Sequence, residues 1–285
     1  MHHPRPRRSA LYLPASNARA IDKVRTLPCD VVILDLEDAV APDAKPEARR
    51  QATAALAAGG FGAREVVVRV NGLDTPWGAG DLAAVAHAAA VLVPKVDSPA
   101  DLMRYAATLP PATRLWAMIE TPAALLALAA LGQAAKASRT DVWVIGSNDL
   151  AKDLRLRVGP GREALLPHLA MAVAAARAWG LEILDGVFND IADTEGLARQ
   201  CVQGRDFGFD GKTLIHPDQI AAANLAFSPE PAATRWARRV AAAFELTENA
   251  GKGVIRLEGR MVERLHLDEA RRLIALAEAI SGREE

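Results

Sequence analysis

The sequence predicts an α/β fold: a (β/α)8 TIM barrel with a C-terminal helical extension. Three observations carry this reading. Eight short runs rich in Val, Ile and Leu recur, stretches of helical composition separate them, and 285 residues accommodate one barrel plus an appendage. An open doubly wound sheet would more often show six strands and an early Gly-rich turn.

The runs are SALYLPA (9–15), DVVILDLED (30–38), EVVVRVN (65–71), AVLVPKV (90–96), RLWAMIET (114–121), DVWVIGSND (141–149), LEILDGVFN (181–189) and GKTLIHP (211–217). None alternates strictly, as expected of strands buried on both faces. Between them lie Ala- and Leu-rich segments such as 124–137 and 166–180, the second closing on a Gly180 C-cap. After the eighth run, FSPEPAATRW (227–236) is a Pro-punctuated break, followed by a helix over 232–247, an extended piece over 251–263 and a charged helix over 267–281. The expected domains are a barrel at 1–228 and an extension at 229–285 that packs on a neighbouring subunit.

The bulk composition excludes several classes. With 34 basic and 35 acidic residues, nothing points to a nucleic-acid surface or a membrane-binding face. Cys29 and Cys201 have no metal-ligand or Cys-x-x-Cys spacing, so they read as core residues in a reducing cytoplasm. The basic start MHHPRPRR is followed by no apolar segment of a signal peptide, and no apolar run is long enough to span a bilayer. A cytoplasmic protein is expected.

In barrels of this type the active site is built at the C-terminal ends of the strands and the loops that follow. Strand ends here carry Asp35, Glu37, Asp38, Arg69, Asn71, Lys95, Glu120, Asn148, Asp149, Asp185, Asn189, Lys212 and His216. Glu120 closes a buried apolar run just before Thr121 and Pro122, where a carboxylate is costly without a partner. Asp149 follows the adjacent strand. Two carboxylates held close force one to stay protonated unless a cation lies between them. With oxygen ligands and no His or Cys cluster, Mg²⁺ fits better than Zn²⁺; a structural network with Arg69 or Lys95 is the alternative.

Arg69 offers a rigid fork to a substrate carboxylate and stands with Asp38 in the catalytic set, although a salt bridge to Glu37 or Asp38 would also explain it. Asn71 and Lys95 join Arg69 and Glu120 in the substrate-binding set; Lys95 could form a Schiff base, but the surrounding carboxylates favour an electrostatic role. His216 is a general base or the hydrogen-bond partner of a carboxylate. DGKT (210–213) and GAGDLA (78–83) only echo nucleotide-binding loops, since the first enters a strand and the second follows Pro76 and Trp77. Arg5, Arg7, Arg8, Lys23 and Arg25 read as a solvated N-terminal arm or as contacts to phosphates.

The ordered set RSALYLPASN, DLEDAVAPDAK, VVRVNG, VLVPKV, MIETP, GSNDLAKDL and GKTLIHPDQI resembles the acyl-CoA lyase family that includes the citrate lyase beta subunit, malyl-CoA lyase and citramalyl-CoA lyase. The resemblance implies a Mg²⁺-dependent barrel, usually trimeric, with Glu120 and Asp149 as metal ligands and Arg69 on the substrate carboxylate. The implied reaction is reversible carbon–carbon cleavage of a short 3-hydroxyacyl-CoA ester, such as malyl-CoA or citramalyl-CoA, to acetyl-CoA and a 2-keto acid. The family's stand-alone members handle a proton with an Asp in a C-terminal G-x-M-I-D segment reaching a neighbouring subunit. The matching stretch here is GRMVE (259–263), so Glu263 stands where Asp is expected and becomes the candidate acid–base residue. Three functions therefore compete: a lyase first, a thioesterase on the same CoA esters, and a citrate lyase beta-like or weakly catalytic binding subunit of a complex.

Overall fold

In the computed structural model, which describes residues 5–284, the chain forms two compact units: Arg7–Phe227, and the segment from Ser228 on together with Arg5 and Pro6. The first is a closed barrel of eight parallel strands in sequence order: β1 Ser9–Pro14, β2 Val31–Asp35, β3 Glu65–Arg69, β4 Ala90–Val93, β5 Arg114–Ile119, β6 Thr140–Ile145, β7 Glu182–Asp185 and β8 Gly211–Leu214. The helices of this unit are α1 Ala18–Val24, α2 Lys45–Ala58, α3 Gly78–Ala84, α4 Pro99–Thr108, α5 Pro122–Ser138, α6 Ser147–Asp153, α7 Leu166–Ala178, α8 Thr194–Phe207 and α9 Ile220–Phe227. The fold is the one the sequence predicts.

Strand alternation divides the apolar residues between two layers. Ala10, Val31, Ile33, Val67, Leu92, Trp116, Met118, Val144 and Leu184 fill the barrel interior. Val32, Leu34, Val68, Ala117 and Trp143 pack outward among the helices. At the N-terminal end the guanidinium of Arg7 pairs with Glu65 at 2.7 Å and Glu182 at 2.6 Å, and lies 5.1 Å from the Trp116 ring. Arg8 forks onto buried Asp30 with bonds of 2.8 and 3.0 Å. Neither residue is a solvated arm or a phosphate contact, because each charge is already neutralised against the base of the barrel.

Helix starts are fixed locally where the site needs them. Thr121 caps α5 by accepting from the Ala124 N–H at 3.0 Å, and Pro122 occupies a position with no intrahelical acceptor to lose. That stop leaves Glu120 between a strand and a capped helix. On α4, Ser98 and Asp101 form a capping box.

In the second unit, α10 Pro231–Glu245 and α11 Arg264–Glu284 pack with an antiparallel hairpin, β9 Val254–Leu257 and β10 Arg260–Glu263. Their core is Ala237, Val240, Ala243, Ile255, Val262 and Ala270. The extended piece read from the sequence is thus a hairpin. Its second strand ends on Glu263, whose backbone N–H donates to Nδ1 of His266 at 2.9 Å.

Candidate active site

At the C-terminal end of the barrel, Asp35 and Arg69 lie in register on neighbouring strands and both point inward. Arg69 donates from Nε to Oδ1 of Asp35 at 2.7 Å and from Nη2 to Oδ2 at 2.6 Å. Asp35, fully buried, also accepts the backbone N–H groups of Glu37 at 2.9 Å and Ala39 at 3.1 Å. The carboxylate is saturated, and the fork has one orientation. Nη1 remains, 2.9 Å from Oε2 of Glu37 and 3.4 Å from Oδ2 of Asp38. The Tyr12 ring stacks 4.9 Å from the guanidinium carbon, within cation–π range.

Glu37 is poorly compensated despite that neighbour. Its buried Oε2 lies at ion-pair distance from Arg69 without an aligned hydrogen bond. Burial pushes its carboxyl up to about 8; Arg69 opposes the rise, while Asp38 and Glu120 add to it.

Glu120 is 2% exposed. Its Oε1 accepts the Lys95 backbone N–H at 2.8 Å, for which Lys95 adopts a left-handed φ of 49°. Burial raises its carboxyl to about 7; the Lys95 N–H pulls it down, and the negative charge of Asp149 pushes it up again. Asp149 lies in the first turn of α6 rather than at the end of β6 itself. Gly146 stands directly against Glu120: a Cβ there would lie 2.5 Å from Oε2 of Glu120, closer still to its Cβ, and 3.0 Å from Cε of Met118. The glycine is the space into which Glu120 folds.

Tyr12, Asp38, Arg69, Glu120 and Asp149 all line one cavity of about 300 Å³. Two carboxylates facing it with insufficient positive charge, one of them held by a single N–H, suit a hard divalent cation. Among the described residues no group of three or more His, Cys, Asp or Glu is arranged to hold a metal alone. Glu120 and Asp149 would therefore share the ion with water and substrate oxygens, as Mg²⁺ commonly binds.

Other candidates lie elsewhere. Asn71 is 2% exposed and does not line this cavity. It accepts from Lys45 Nζ at 2.7 Å and donates to the Leu36 carbonyl at 2.7 Å and to Asp81 at 2.6 Å, which fixes the loop after β3. Lys95 is exposed, and its contact with Glu120 runs through the backbone, not the ammonium group. Asp185 and Lys212 point away from the barrel interior, Asp185 bonding Arg162 at 2.6 Å and lying 3.3 Å from Lys212. Burial raises Asp185, but Lys212 and Arg162 together hold it below its ordinary range. His216 caps the short helical turn 217–219 by accepting from the Asp218 N–H at 3.2 Å. Asn148, in the first turn of α6, and Asn189, in the loop after β7, pair their amides at 3.2 and 2.8 Å. Glu263 belongs to the C-terminal unit.

Sequence reasoning missed Tyr12, Gly146 and Lys45. The first two were legible in outline: Tyr12 is two residues after inward-facing Ala10, and Gly146 follows a strand directly before the Ser-Asn-Asp segment. Lys45, seven residues after the second strand's acidic cluster, donates to the carbonyls of Leu36 at 3.0 Å and Glu37 at 2.9 Å, a role no spacing reveals.

A family profile described as HpcH/HpaI aldolase/citrate lyase matches residues 8–217. A (3S)-malyl-CoA thioesterase of Cereibacter sphaeroides (strain KD131) is 49% identical over 283 residues, covering 99% of this chain and 98% of the relative. The citrate lyase subunit beta of Escherichia coli K12 is 34% identical over 294 residues, covering 99% and 96%. Among solved structures, protein CitE from Mycobacterium tuberculosis in complex with magnesium, acetoacetate and coenzyme A superposes with a TM-score of 0.75 at 30% identity, covering 95% of this chain and 97% of that one.

Proposed function

Because this chain belongs to the HpcH/HpaI aldolase/citrate lyase family of enzymes, we propose that it is a thioesterase that hydrolyses a short dicarboxylic CoA ester of the malyl-CoA type. The observation that carries this reading is the 49% identity, over 99% of the chain, to a protein named as a (3S)-malyl-CoA thioesterase. It reverses the order in which the motifs ranked the two reactions, since the citrate lyase subunit beta is 34% identical.

Each residue has a definite task in the proposed reaction. Asp35 aims the guanidinium of Arg69, and Nη1 takes the substrate's free carboxylate once Asp38 swings aside, with Glu37, whose carboxyl burial pushes up to about 8 and so keeps protonated near neutral pH, remaining 2.9 Å away. Asp38 can yield because its side chain is 65% exposed and its contact to Nη1 is long, 3.4 Å. It then stands beside the cavity as the base that accepts a proton from the attacking water. Glu120 and Asp149 would hold Mg²⁺, which when bound supplies Lewis-acid charge to substrate oxygens. Water adds to the thioester carbonyl carbon, the carbon–sulfur bond breaks, and the CoA thiol leaves with a proton.

The lyase is the second reading, favoured by the GRMVE segment that matches the family's acid–base position. Product analysis with (3S)-malyl-CoA separates the two. Free CoA with malate supports hydrolysis; acetyl-CoA with glyoxylate refutes it and restores the lyase; no turnover with Mg²⁺ present refutes both and favours a binding subunit.

A further inference from the structure

Resting on the hydrolytic reading, we infer that the hydroxyl of Tyr12 is a further catalytic group, donating a hydrogen bond to the thioester oxygen as negative charge gathers on it. Hydrolysis needs a donor aimed at that oxygen, and most donors lining the cavity are committed. Nε and Nη2 of Arg69 belong to Asp35, and Nη1 faces the acidic pair Glu37 and Asp38. The Asn148 and Asn189 amides bond each other, and the Thr213 hydroxyl donates to the Asp185 carbonyl at 3.0 Å. Ser147 Oγ is tucked against Gly186, 2.5 Å from where a Cβ on that glycine would stand.

Tyr12 differs from all of these. Its ring is fixed on the Arg69 guanidinium, and among the described residues the only hydrogen-bond acceptor for its hydroxyl is Sδ of Met118, at 3.5 Å. A thioether is a weak acceptor, so an oxygen developing negative charge would displace it readily. Burial raises the phenol well above its ordinary range, which keeps the proton on Tyr12 throughout: it donates a bond and transfers nothing. The geometry places a donor whose ring is fixed on Arg69 over the same cavity that Glu120 and Asp149 share.

Tyr12→Phe keeps the ring on Arg69 and removes only the hydroxyl. With (3S)-malyl-CoA and Mg²⁺, kcat for CoA release should fall about 100-fold, as for loss of an oxyanion donor, while KM changes less than about threefold. Melting temperature and Mg²⁺ affinity, measured by calorimetry, should stay at wild-type values. Unchanged kcat overturns the assignment, and so does a rise in KM alone, which would make the ring a binding surface only. A loss found in Ser147→Ala and absent from Tyr12→Phe gives the role to Ser147. Wild-type protein that releases no CoA overturns the hydrolytic reading and this inference with it, an outcome distinct from a hydrolysing wild type beside an unimpaired variant.

Discussion

Substituting Gly146 by alanine adds one methyl group, and the structure says where it must go. The φ of Gly146 is −89°, on the side that alanine also adopts, so no left-handed backbone strain enters. The effect is steric. The new Cβ would stand 2.5 Å from Oε2 of Glu120 and 3.0 Å from Cε of Met118. Carbon contacts settle near 3.5 Å, so Glu120 must retreat by about 1 Å. Overpacking of this kind costs about 1–3 kcal/mol of stability, a modest shift in melting temperature for a barrel of this size. Function should suffer more. Displacing one of two protein ligands should raise the Mg²⁺ Kd about tenfold or more, or about 1.4 kcal/mol, and a 1 Å misplacement costs catalysis about 100-fold. Isothermal titration with Mg²⁺ and steady-state kinetics at saturating metal read the two effects separately. A variant whose Mg²⁺ Kd and kcat/KM both stay within about threefold of wild type would refute the placement of the metal at Glu120.

Four further outcomes follow from named contacts. Glu120 sits at about 7 rather than 4.5 without metal, so Mg²⁺ affinity should fall about tenfold per pH unit below 7, with a proton released on binding. The native carboxyl holds its proton where the unfolded one has lost it, so its contribution to metal-free stability declines as pH rises from 4.5 to about 7; titration in two buffers of different ionisation enthalpy checks the proton, and affinity independent of pH would count against it. Asn71→Ala should cost about 2–3 kcal/mol in denaturant unfolding, because it strips bonds from buried Lys45 and Asp81, and should leave the KM of the folded enzyme unchanged. Arg69→Lys should both raise KM at least about tenfold and destabilise by about 3 kcal/mol, since one fork serves substrate and Asp35 alike; a KM effect with unchanged melting would detach it from Asp35. If the hairpin completes a neighbour's site in a homotrimer and Glu263 acts there, Glu263→Gln should lose activity and regain part of it when co-assembled with Glu120→Ala protomers; full activity of Glu263→Gln would remove it from the reaction, and verified mixed oligomers without activity would exclude sharing.

Much of the barrel was legible because parallel strands covered on both faces must be written as apolar runs, and the runs come in sequence order. Glu120 was legible for a related reason: a charge closing such a run must be compensated. What the pattern could not convey is parity. In LEILDG both faces of β7 are apolar, so nothing announces that Leu184 fills the interior while Asp185 turns toward Arg162. Asn71 defeats the reading differently, since beyond Arg69 the chain has left the strand and alternation no longer applies. Lys95 carries a contact through its backbone N–H, which every residue type but proline has and which so leaves no trace in composition. Tyr12 passed as one more apolar strand residue until its ring was seen on Arg69.

The ion cluster of Arg7, Glu65 and Glu182 over Trp116 stoppers the barrel at the end opposite the cavity. Everything must therefore come and go through a single opening. If the substrate carries a small acid at one end and a long thiol carrier at the other, as proposed, it would enter acid first, and after cleavage the deeper fragment would sit behind the carrier. On the proposed hydrolytic reading release would then be ordered: CoA would depart before the acid, and the free acid, as the last fragment to leave, would compete with incoming substrate for Arg69. Product-inhibition patterns would record that sequence, competitive for the acid and non-competitive for CoA, as the kinetic signature of a vessel with one door.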